Sequence, residues 1–343
     1  MARSSDVLRL TAAGLYCKSG DFHVDPWEPV ERAIITHAHS DHARWGMKKY
    51  LCASPGLAVL RARVGDDASI ETREYGESFS MNGVKVSLHP AGHILGSSQV
   101  RIEDQGQVWV VSGDYKTEPD PTCERFELVK CQTFITESTF ALPIYRWGPE
   151  GEVFEQINKW WRENQQAGKA SMIFAYTLGK AQRILAGVDA SIGPLYSHGV
   201  VQRINECYRW AGVKLPPISL ATQQVRGFDW SKALIVAPPS AAGTPWLRRF
   251  GDIATGFASG WMQIRGTRRR RAVDRGFVLS DHVDWPSLLS TISATGAERV
   301  WVTHGYSNVL ARFLTEQGLK AEVVPTRFTG ESLEAEEDEG TGE

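Results

Sequence analysis

The chain has 343 residues, of which 42% are hydrophobic and 23% charged, and its formal net charge is −2. This length suits one large α/β domain or two ordinary domains, and the apolar content is ample for a globular core. No apolar stretch approaches the length of a membrane span, and the first residues lack a signal-peptide core, so we expect a soluble cytoplasmic protein without a membrane partner.

Two compositional features refine this expectation. The five cysteines form no Cys-x-x-Cys pair and are odd in number, so they are predicted to be reduced packing residues. Residues 331–343 carry seven carboxylates and no Lys or Arg, so a whole-chain charge of −2 leaves +5 for the remainder. Such a tail is predicted to be disordered, and it either keeps the protein soluble or competes for a nucleic-acid groove.

A dense group of imidazoles and carboxylates follows the short apolar run Ile34-Ile35. The run predicts a buried strand, and the group lies in the loop where that strand ends. In extended backbone, side chains two positions apart point the same way, so His37 and His39 can bind one ion while Asp41 and His42, past the bend, turn toward a second. Nitrogen and oxygen ligands of this kind suit zinc, with manganese or iron as competitors. The alternative is a solvated loop rich in histidine.

The rest of the first half is predicted to be mostly β-structure. Ser54-Pro55 has the pattern of a helix start, and Asn82-Gly83 has the pattern of a hairpin turn. Three further apolar strands are followed by a side chain that can bind a metal or a proton, and these are His93, Asp114 and Glu137.

Beyond Phe140 the pattern alternates between helix and strand. Apolar residues at helical spacing predict helices near 153–161, 181–188 and 201–208, and apolar runs predict strands at 172–175 and 233–236. This alternation indicates a parallel, Rossmann-like sheet. From Gly276 the chain is predicted to return to strand, helix, strand and helix, and the second of these strands ends at His304.

The pattern His-x-His-x-Asp-His after an apolar strand resembles the metallo-β-lactamase superfamily of hydrolases. This resemblance implies an αββα sandwich that binds two divalent ions. Zinc is the expected metal, and manganese is the alternative. The implied ligands are His37, His39 and His93 for one ion, Asp41, His42 and His304 for the other, and Asp114 as the bridge. Asp25 matches an acidic position whose hydrogen bonds orient the ligand loop. The other histidines, His23, His89 and His198, are predicted to be structural.

An insertion between the strand ending at Glu137 and the segment Ser280-Asp281-His282 resembles the β-CASP branch, whose members cut DNA or RNA. Because His304 would complete a site begun at His37, the flanking segments must form one domain. The implied metallo-β-lactamase parts are 1–143 and 276–328, the inserted domain is 144–275, and the acidic tail is 329–343. The implied catalytic residues are Asp41, His282 as the proton donor to the leaving oxygen, and Glu137 as the group that holds its ring.

The choice between DNA and RNA rests on finer similarities. Histidine at position 304 is typical of the RNA-processing members, whereas Artemis-type DNA nucleases usually have valine there. Asp25-Pro26-Trp27 and Ser259-Gly260-Trp261-Met262 resemble instead the bacterial ligase-associated DNA exonucleases. That family implies a 5′-to-3′ exonuclease on single-stranded or tailed DNA that works in DNA repair beside an ATP-dependent DNA ligase and a helicase. The alternative is an RNA-processing nuclease of the RNase J or messenger-RNA 3′-end type.

A basic stretch before His282 supports a polyanionic substrate. Guanidinium groups bind phosphates bidentately, and each neutralised phosphate releases counterions. Lys180 stands at a strand-to-helix turn whose amides could hold a terminal phosphate. The residues predicted to contact nucleic acid are Arg265, Arg268, Arg269, Arg270, Arg271, Lys180 and Lys116. The alternative for the arginines is a solvated loop.

Two other classes of function stay open. A thioester- or lactone-cleaving hydrolase of the same superfamily would share the metals but would not need the insertion or the arginines. A catalytically inactive β-CASP scaffold should have lost ligands, and here every expected position is filled.

Overall fold

A computed structural model describes residues 6–225, 227–264, 266 and 273–327. Arg265, Arg268 to Arg271 and the predicted acidic tail 329–343 lie outside these residues. The chain divides into two compact units, one formed by the segments up to Ile144 and from His282 onward, the other by Tyr145–Asp281. Among the described helices, none is long and apolar enough to cross a membrane.

The first unit contains two sheets. The strands of its first sheet are β1 (Arg9–Thr11), β2 (Gly14–Cys17), β3 (Phe22–Val24), β4 (Ala33–Ile34), β5 (Tyr50–Ala53) and β6 (Ile70–Arg73), paired in that order. The strands of its second sheet are β7 (Ser78–Met81), β8 (Val84–Pro90), β9 (Ser98–Asp104), β10 (Gln107–Val111), β11 (Thr133–Thr136), β18 (Arg299–Val302) and β19 (Lys320–Val323), in the order β19-β18-β11-β10-β9-β8-β7.

The second sheet is buried on both faces, as the alternation of its side chains shows. Val111, Ile135 and Trp301 belong to a core shared with strands of the first sheet. Their neighbours Val110 and Phe134 belong to a separate core on the opposite face. Successive side chains of a strand point to opposite faces, so these apolar runs place one core between the sheets and one beneath the helices.

Helices form the outer layers of this unit. They are α1 (Leu57–Val64), α5 (Trp285–Thr295) and α6 (Ser307–Glu316), and a short 3₁₀ turn, Ser54–Gly56, precedes α1. Helix α1 contacts β6, whereas α6 contacts β18 and β19. Leu288, Ile292 and Leu310 fill the core beneath the second sheet. The unit is an αββα sandwich, as predicted.

The second unit is a parallel sheet with helices between its strands. Its helices are α2 (Glu150–Gln166), α3 (Lys180–Gly187) and α4 (Gly199–Trp210). Its strands are β12 (Ala170–Phe174), β13 (Leu195–Ser197), β14 (Ile218–Leu220), β15 (Leu234–Ala237), β16 (Ile253–Ala258) and β17 (Arg275–Phe277), in the order β14-β13-β15-β12-β16-β17. All of the recorded pairings in this sheet are parallel, which agrees with the predicted Rossmann-like insertion.

The end of the insertion differs from the boundary at 275/276. Strand β17 was expected to start the return to the first unit, but it pairs with β16 of the inserted sheet. Phe277 is fully buried in the core of the second unit, and its ring contacts Trp160 at a centroid distance of 5.5 Å. The apolar run 277–279 therefore completes the inserted domain, and the division between the units falls at Asp281 and His282.

Candidate metal centre

The predicted ligands follow the ends of several strands of the first unit. Strands β10, β11 and β18 run parallel, so their carboxyl ends share one edge of the second sheet. Asp114, Glu137 and His304 come directly after these three strands, and His93 follows β8. The loop after β4 adds four more candidate ligands. The sandwich thus brings side chains that are far apart in sequence to one edge.

The first group consists of His37, His39, His93 and Asp114. One ligand atom from each lies within 4.8 Å of the others, and all four residues are buried or nearly so. Nε2 of His93 lies 3.1 Å from Nδ1 of His39, and Nε2 of His37 lies 3.6 Å from Oδ2 of Asp114. Three imidazoles and one carboxylate at these distances form a set of donors that a divalent ion accepts.

The second group consists of Asp41, His42 and His304, again with ligand atoms within 4.8 Å of one another. Nε2 of His42 lies 3.6 Å from Oδ2 of Asp41 and 3.6 Å from Oδ2 of Asp114. The same oxygen of Asp114 therefore faces both groups, which is the position that a bridging ligand requires.

Three buried atoms test whether a cation fits this place. Nε2 of His37, Nε2 of His42 and Oδ1 of Asp114 are buried, and none of them has a hydrogen-bond partner in the described part of the chain. Buried polar atoms are nearly always paired, because leaving them unpaired costs free energy. Two imidazole nitrogens and a carboxylate oxygen that are buried, without such partners and close to one another fit a metal ion.

Asp25 holds the ring of His42 in place. Its Oδ2 lies 2.8 Å from Nδ1 of His42 and accepts a hydrogen bond of 2.6 Å from the Thr36 hydroxyl. Its Oδ1 accepts the Thr36 N–H at 2.7 Å. Asp25 itself has a φ of 45°, a left-handed conformation that is uncommon for a residue other than glycine. Because Nδ1 is engaged, Nε2 of His42 is turned toward the carboxylates, which agrees with the role predicted for Asp25.

Burial controls the charge of two of the imidazoles. Burial, reinforced by His42 and His93, lowers the pKa of His37 well below its usual value. Burial and the positive charge of His42 lower the pKa of His304 to about 4. Both side chains are therefore neutral near pH 7, and neutral imidazole is the form that binds metals.

His42 has the opposite electrostatic environment. Burial alone would lower its pKa, but the carboxylates of Asp41, Asp114 and Asp25 outweigh burial and raise the pKa to about 10. Burial raises the pKa of Asp114 to about 7, and the charge of Glu137 adds to this effect. The carboxylates thus stabilise positive charge near Nε2 of His42. A metal ion bound there would provide that positive charge.

A third group joins Asp114 to Glu137 and His282. Oε2 of Glu137 lies 2.8 Å from Nδ1 of His282, and Oε1 accepts the N–H of Tyr115 at 2.7 Å. Burial would raise the pKa of Glu137, but the charge of His282 and the hydrogen bonds from His282, Thr139 and Tyr115 together outweigh burial and lower it. A buried, ionised carboxylate therefore orients the imidazole of His282, whose ring lies 4.6 Å from that of His93 between centroids.

The backbone after β18 is adapted to its position. His304 has a φ of 51° and Gly305 a φ of 66°. A Cβ atom on Gly305 would lie 2.4 Å from the carbonyl oxygen of Ser138, so only glycine fits there. The hydroxyl of Ser138 donates a hydrogen bond to the carbonyl oxygen of His304. Ser138, Thr36 and Tyr115 are not among the predicted site residues, although each lies next to one of them in the sequence.

The structure contradicts the prediction that Lys116 and Lys180 bind nucleic acid, because both side chains are buried. Lys116 is 1% exposed, and its Nζ donates to the carbonyl oxygen of Glu118 at 2.9 Å. Lys180 is fully buried, with Nζ 3.5 Å from Oδ2 of Asp281. The amide of Gly179, at the proposed phosphate site, is bonded to Oε1 of Gln182 at 2.9 Å. Short-range sequence patterns cannot show that a lysine is paired with a carboxylate a hundred positions away.

An αββα sandwich with adjoining His and Asp groups at the strand ends defines the metallo-β-lactamase class. A crystal structure of a protein of unknown function from Enterococcus faecalis V583 has the same fold, with a TM-score of 0.56, 10% identity, and coverage of 88% of this chain and 80% of that one. No protein-family model matches the chain.

Three named proteins are similar to this chain in sequence. The chain is 30% identical over 314 residues to a probable DNA ligase from Opitutus terrae, and the match covers 90% of this chain and 30% of that protein. It is 28% identical over 166 residues to endoribonuclease YSH1 from Yarrowia lipolytica, covering 46% of this chain and 20% of the relative. It is 28% identical over 185 residues to cleavage and polyadenylation specificity factor 73 from Drosophila melanogaster, covering 49% and 27%.

The fold, the insertion and the cluster are therefore those of the β-CASP branch of the metallo-β-lactamase superfamily. The chain spans less than a third of the length of the three relatives just named.

Proposed function

We propose that the chain is a metal-dependent DNA exonuclease that hydrolyses phosphodiester bonds from the 5′ end of single-stranded or tailed DNA. The observation that carries the proposal is the arrangement around Asp114, which faces two groups of buried ligands and also the Glu137–His282 pair. A site that only bound metal would not need a buried imidazole oriented by its own carboxylate.

In this proposal each ion would be held by its own group of side chains. His37, His39 and His93 would hold one and Asp41, His42 and His304 the other, with Asp114 shared. Two divalent ions, zinc or manganese by the donor set, would supply an activated water and neutralise charge on the phosphate. The chain keeps the donors in position through strand ends and through the hydrogen bonds of Asp25.

His282 is assigned as the proton donor to the leaving oxygen. Because Glu137 engages Nδ1, the proton would be delivered from Nε2. The ionised carboxylate of Glu137 stabilises the imidazolium form, which is the form that donates. Glu137 is therefore a positioning residue, and His282 is the residue that would touch the reacting atoms.

DNA is favoured as substrate by the relative named probable DNA ligase. The match covers nine-tenths of this chain but only 30% of that protein. We infer that ligation belongs to the part of that protein without a counterpart here, and that the matching part processes the DNA ends. On this basis an ATP-dependent DNA ligase and a helicase are the proposed partners, and DNA repair is the proposed setting.

RNA processing is the second candidate. It is favoured by His304, which the RNA-processing branch shares, and by the two relatives named endoribonuclease and cleavage factor. Those matches cover less than half of this chain.

One assay separates the two candidates. Metal-loaded protein is incubated with DNA and RNA strands of equal sequence, each with a 5′-phosphate or a 5′-hydroxyl and a 3′ label. We expect stepwise shortening of the DNA from the 5′ end and much slower loss of RNA. Faster cleavage of RNA would select the second candidate. Absence of cleavage of both strands by protein that contains its metals would contradict the nuclease proposal itself.

A further inference from the structure

Trp45 is exposed on the loop that carries the candidate ligands. Its residue surface is 74% exposed, and of the twelve tryptophans, all within the described residues, only Trp45 and Trp210 are classed as exposed. A single exposed apolar side chain needs no explanation by itself. Trp45 differs because of its support, its charged neighbours and its position three residues after His42.

The backbone on both sides of Trp45 is fixed by one buried hydroxyl. Tyr50 is 2% exposed, and its hydroxyl donates to the carbonyl oxygen of Arg44 at 2.9 Å and accepts the N–H of Met47 at 3.0 Å. The N–H of Ala43 donates to the carbonyl oxygen of His39 at 2.8 Å. Because the turn is already held, a ring that stacks on Trp45 would order little additional backbone, so less entropy is lost on binding.

Positively charged side chains flank Trp45 in the sequence. Residues 43–50 contain Arg44, Lys48 and Lys49 and no carboxylate. Lys48 pairs with Glu31 at 2.7 Å, but both side chains are more than 60% exposed, and such a surface pair is weak. Single-stranded nucleic acid is bound by this combination, because cations follow the phosphates and an aromatic ring stacks on a base. An acidic strand with exposed bases therefore fits this surface better than an apolar protein face.

Trp45 is close along the chain to His42, one of the candidate ligands. Three residues span at most about 11 Å of extended backbone. We propose that Trp45 is a stacking platform for a base of single-stranded DNA near the phosphate that is cut. This inference rests on the proposed nuclease function and names a binding site for its substrate.

The test compares three variants of the full-length, metal-loaded chain. Trp45→Ala should weaken binding of a non-hydrolysable single strand by about tenfold, as expected for the loss of one stacked base, and should raise KM with little change in kcat. Trp45→Phe should retain most of the affinity. Trp210→Ala is the matched control, since Trp210 is 69% exposed on α4, and it should bind as the unaltered protein does. Metal content and the thermal midpoint confirm that each variant is folded.

Strands with a single abasic site identify the stacked base. For the unaltered protein, an abasic site at one position near the cut phosphate should weaken binding of the strand. This loss of affinity should be about as large as the loss caused by Trp45→Ala on the intact strand. The Trp45→Ala protein should be insensitive to the same abasic site. Equal affinities for Trp45→Ala and the unaltered protein, or equal sensitivity of both to the abasic site, would overturn the proposal. Because binding is measured on an uncut strand, this result does not depend on whether the protein proves to be a nuclease.

Discussion

At the scale of single residues, Asp114 has contacts that no other candidate ligand has. Its Oδ2 lies 3.6 Å from Nε2 of both His37 and His42, and 4.0 Å from Nδ1 of His282. The short segment Ser112-Gly113-Asp114 makes this possible, because a Cβ on Gly113 would lie 2.7 Å from the side chain of Thr36. The close approach of the two loops therefore depends on glycine at position 113.

Replacing Asp114 tests the bridging position. The purified protein should contain about two divalent ions per chain, as the shared-carboxylate arrangement of a two-metal site implies. Asp114→Ala should lose metal and hydrolysis together, since it removes a donor from both groups. Metal analysis and a nuclease assay on the same preparation provide the measurement. Asp189→Ala, a change at an exposed carboxylate of the second unit, should leave both unchanged. Full metal content in Asp114→Ala would show that Asp114 is not a ligand.

Replacing His282 tests the division between ligand and acid. His282→Ala should retain the metals and slow cleavage by about a hundredfold or more, which is the usual contribution of a general acid. His89→Ala is the matched control, because the ring of His89 is bonded to Ser87 and Glu127 and is not part of the candidate groups. A substrate whose leaving group needs no proton should be cut at nearly the same rate by His282→Ala. If His282→Ala instead loses a metal ion, its role is that of a ligand.

At the scale of elements, the sequence predicted what depends on local periodicity. The loop after β4, the hairpin at Asn82 and Gly83, and the helices α2, α3 and α4 follow from spacing and turn residues. The sequence also identified the side chains that meet in the three groups, because each one follows an apolar strand.

What depends on distant packing could not be predicted. Strand β16 was not predicted, because Gly256 interrupts its apolar run. That glycine is required because a Cβ there would lie 2.8 Å from the ring of Phe277. The same packing assigns β17 to the inserted sheet. The sequence pattern does not show that Lys180 and Lys116 are buried, and Asp281, the partner of Lys180, is distant from it in sequence.

Arg183 belongs to a buried network of ion pairs and hydrogen bonds in the second unit. It is 1% exposed, its guanidinium donates to Oδ1 of Asp281 at 2.8 Å, and it also contacts Glu150 and the carbonyl oxygen of Ser280. Together with Lys180 it fixes the segment that directly precedes His282.

Arg183→Met should destabilise the second unit, because it leaves the carboxylate of Asp281 buried with one partner fewer. Breaking a buried pair costs about 3 kcal/mol or more, whereas an exposed pair contributes less than about 1 kcal/mol. The matched control is Arg162→Met, whose partner is Asp189 at 3.2 Å with both side chains at least 40% exposed. Denaturant unfolding of the two variants provides the comparison. Similar losses of stability for both would show that the buried network is not stabilising.

At the scale of the whole molecule, the distribution of charged residues along the chain bears on the proposed nucleic-acid substrate. The basic residues between Trp261 and His282 are counterbalanced in the total charge by the acidic end of the chain, so the net value of −2 conceals them. With Lys116 and Lys180 buried, the candidates for binding phosphates include the arginine run at 268–271 and the cations that flank Trp45 in the sequence.

The arginine run is tested by its effect on salt dependence. Replacing Arg268, Arg269, Arg270 and Arg271 with serine should weaken binding of single-stranded or 5′-tailed DNA. The dependence of log affinity on log salt should flatten by roughly 0.7 for each phosphate that is no longer neutralised, because fewer counterions are released. Turnover at saturating substrate should change much less, since none of these residues is a candidate metal ligand. Titrations of labelled strands at several salt concentrations provide the measurement. An unchanged affinity and slope would show that the run is a solvated loop, and the cations around Trp45 would then be the first candidates for binding phosphates.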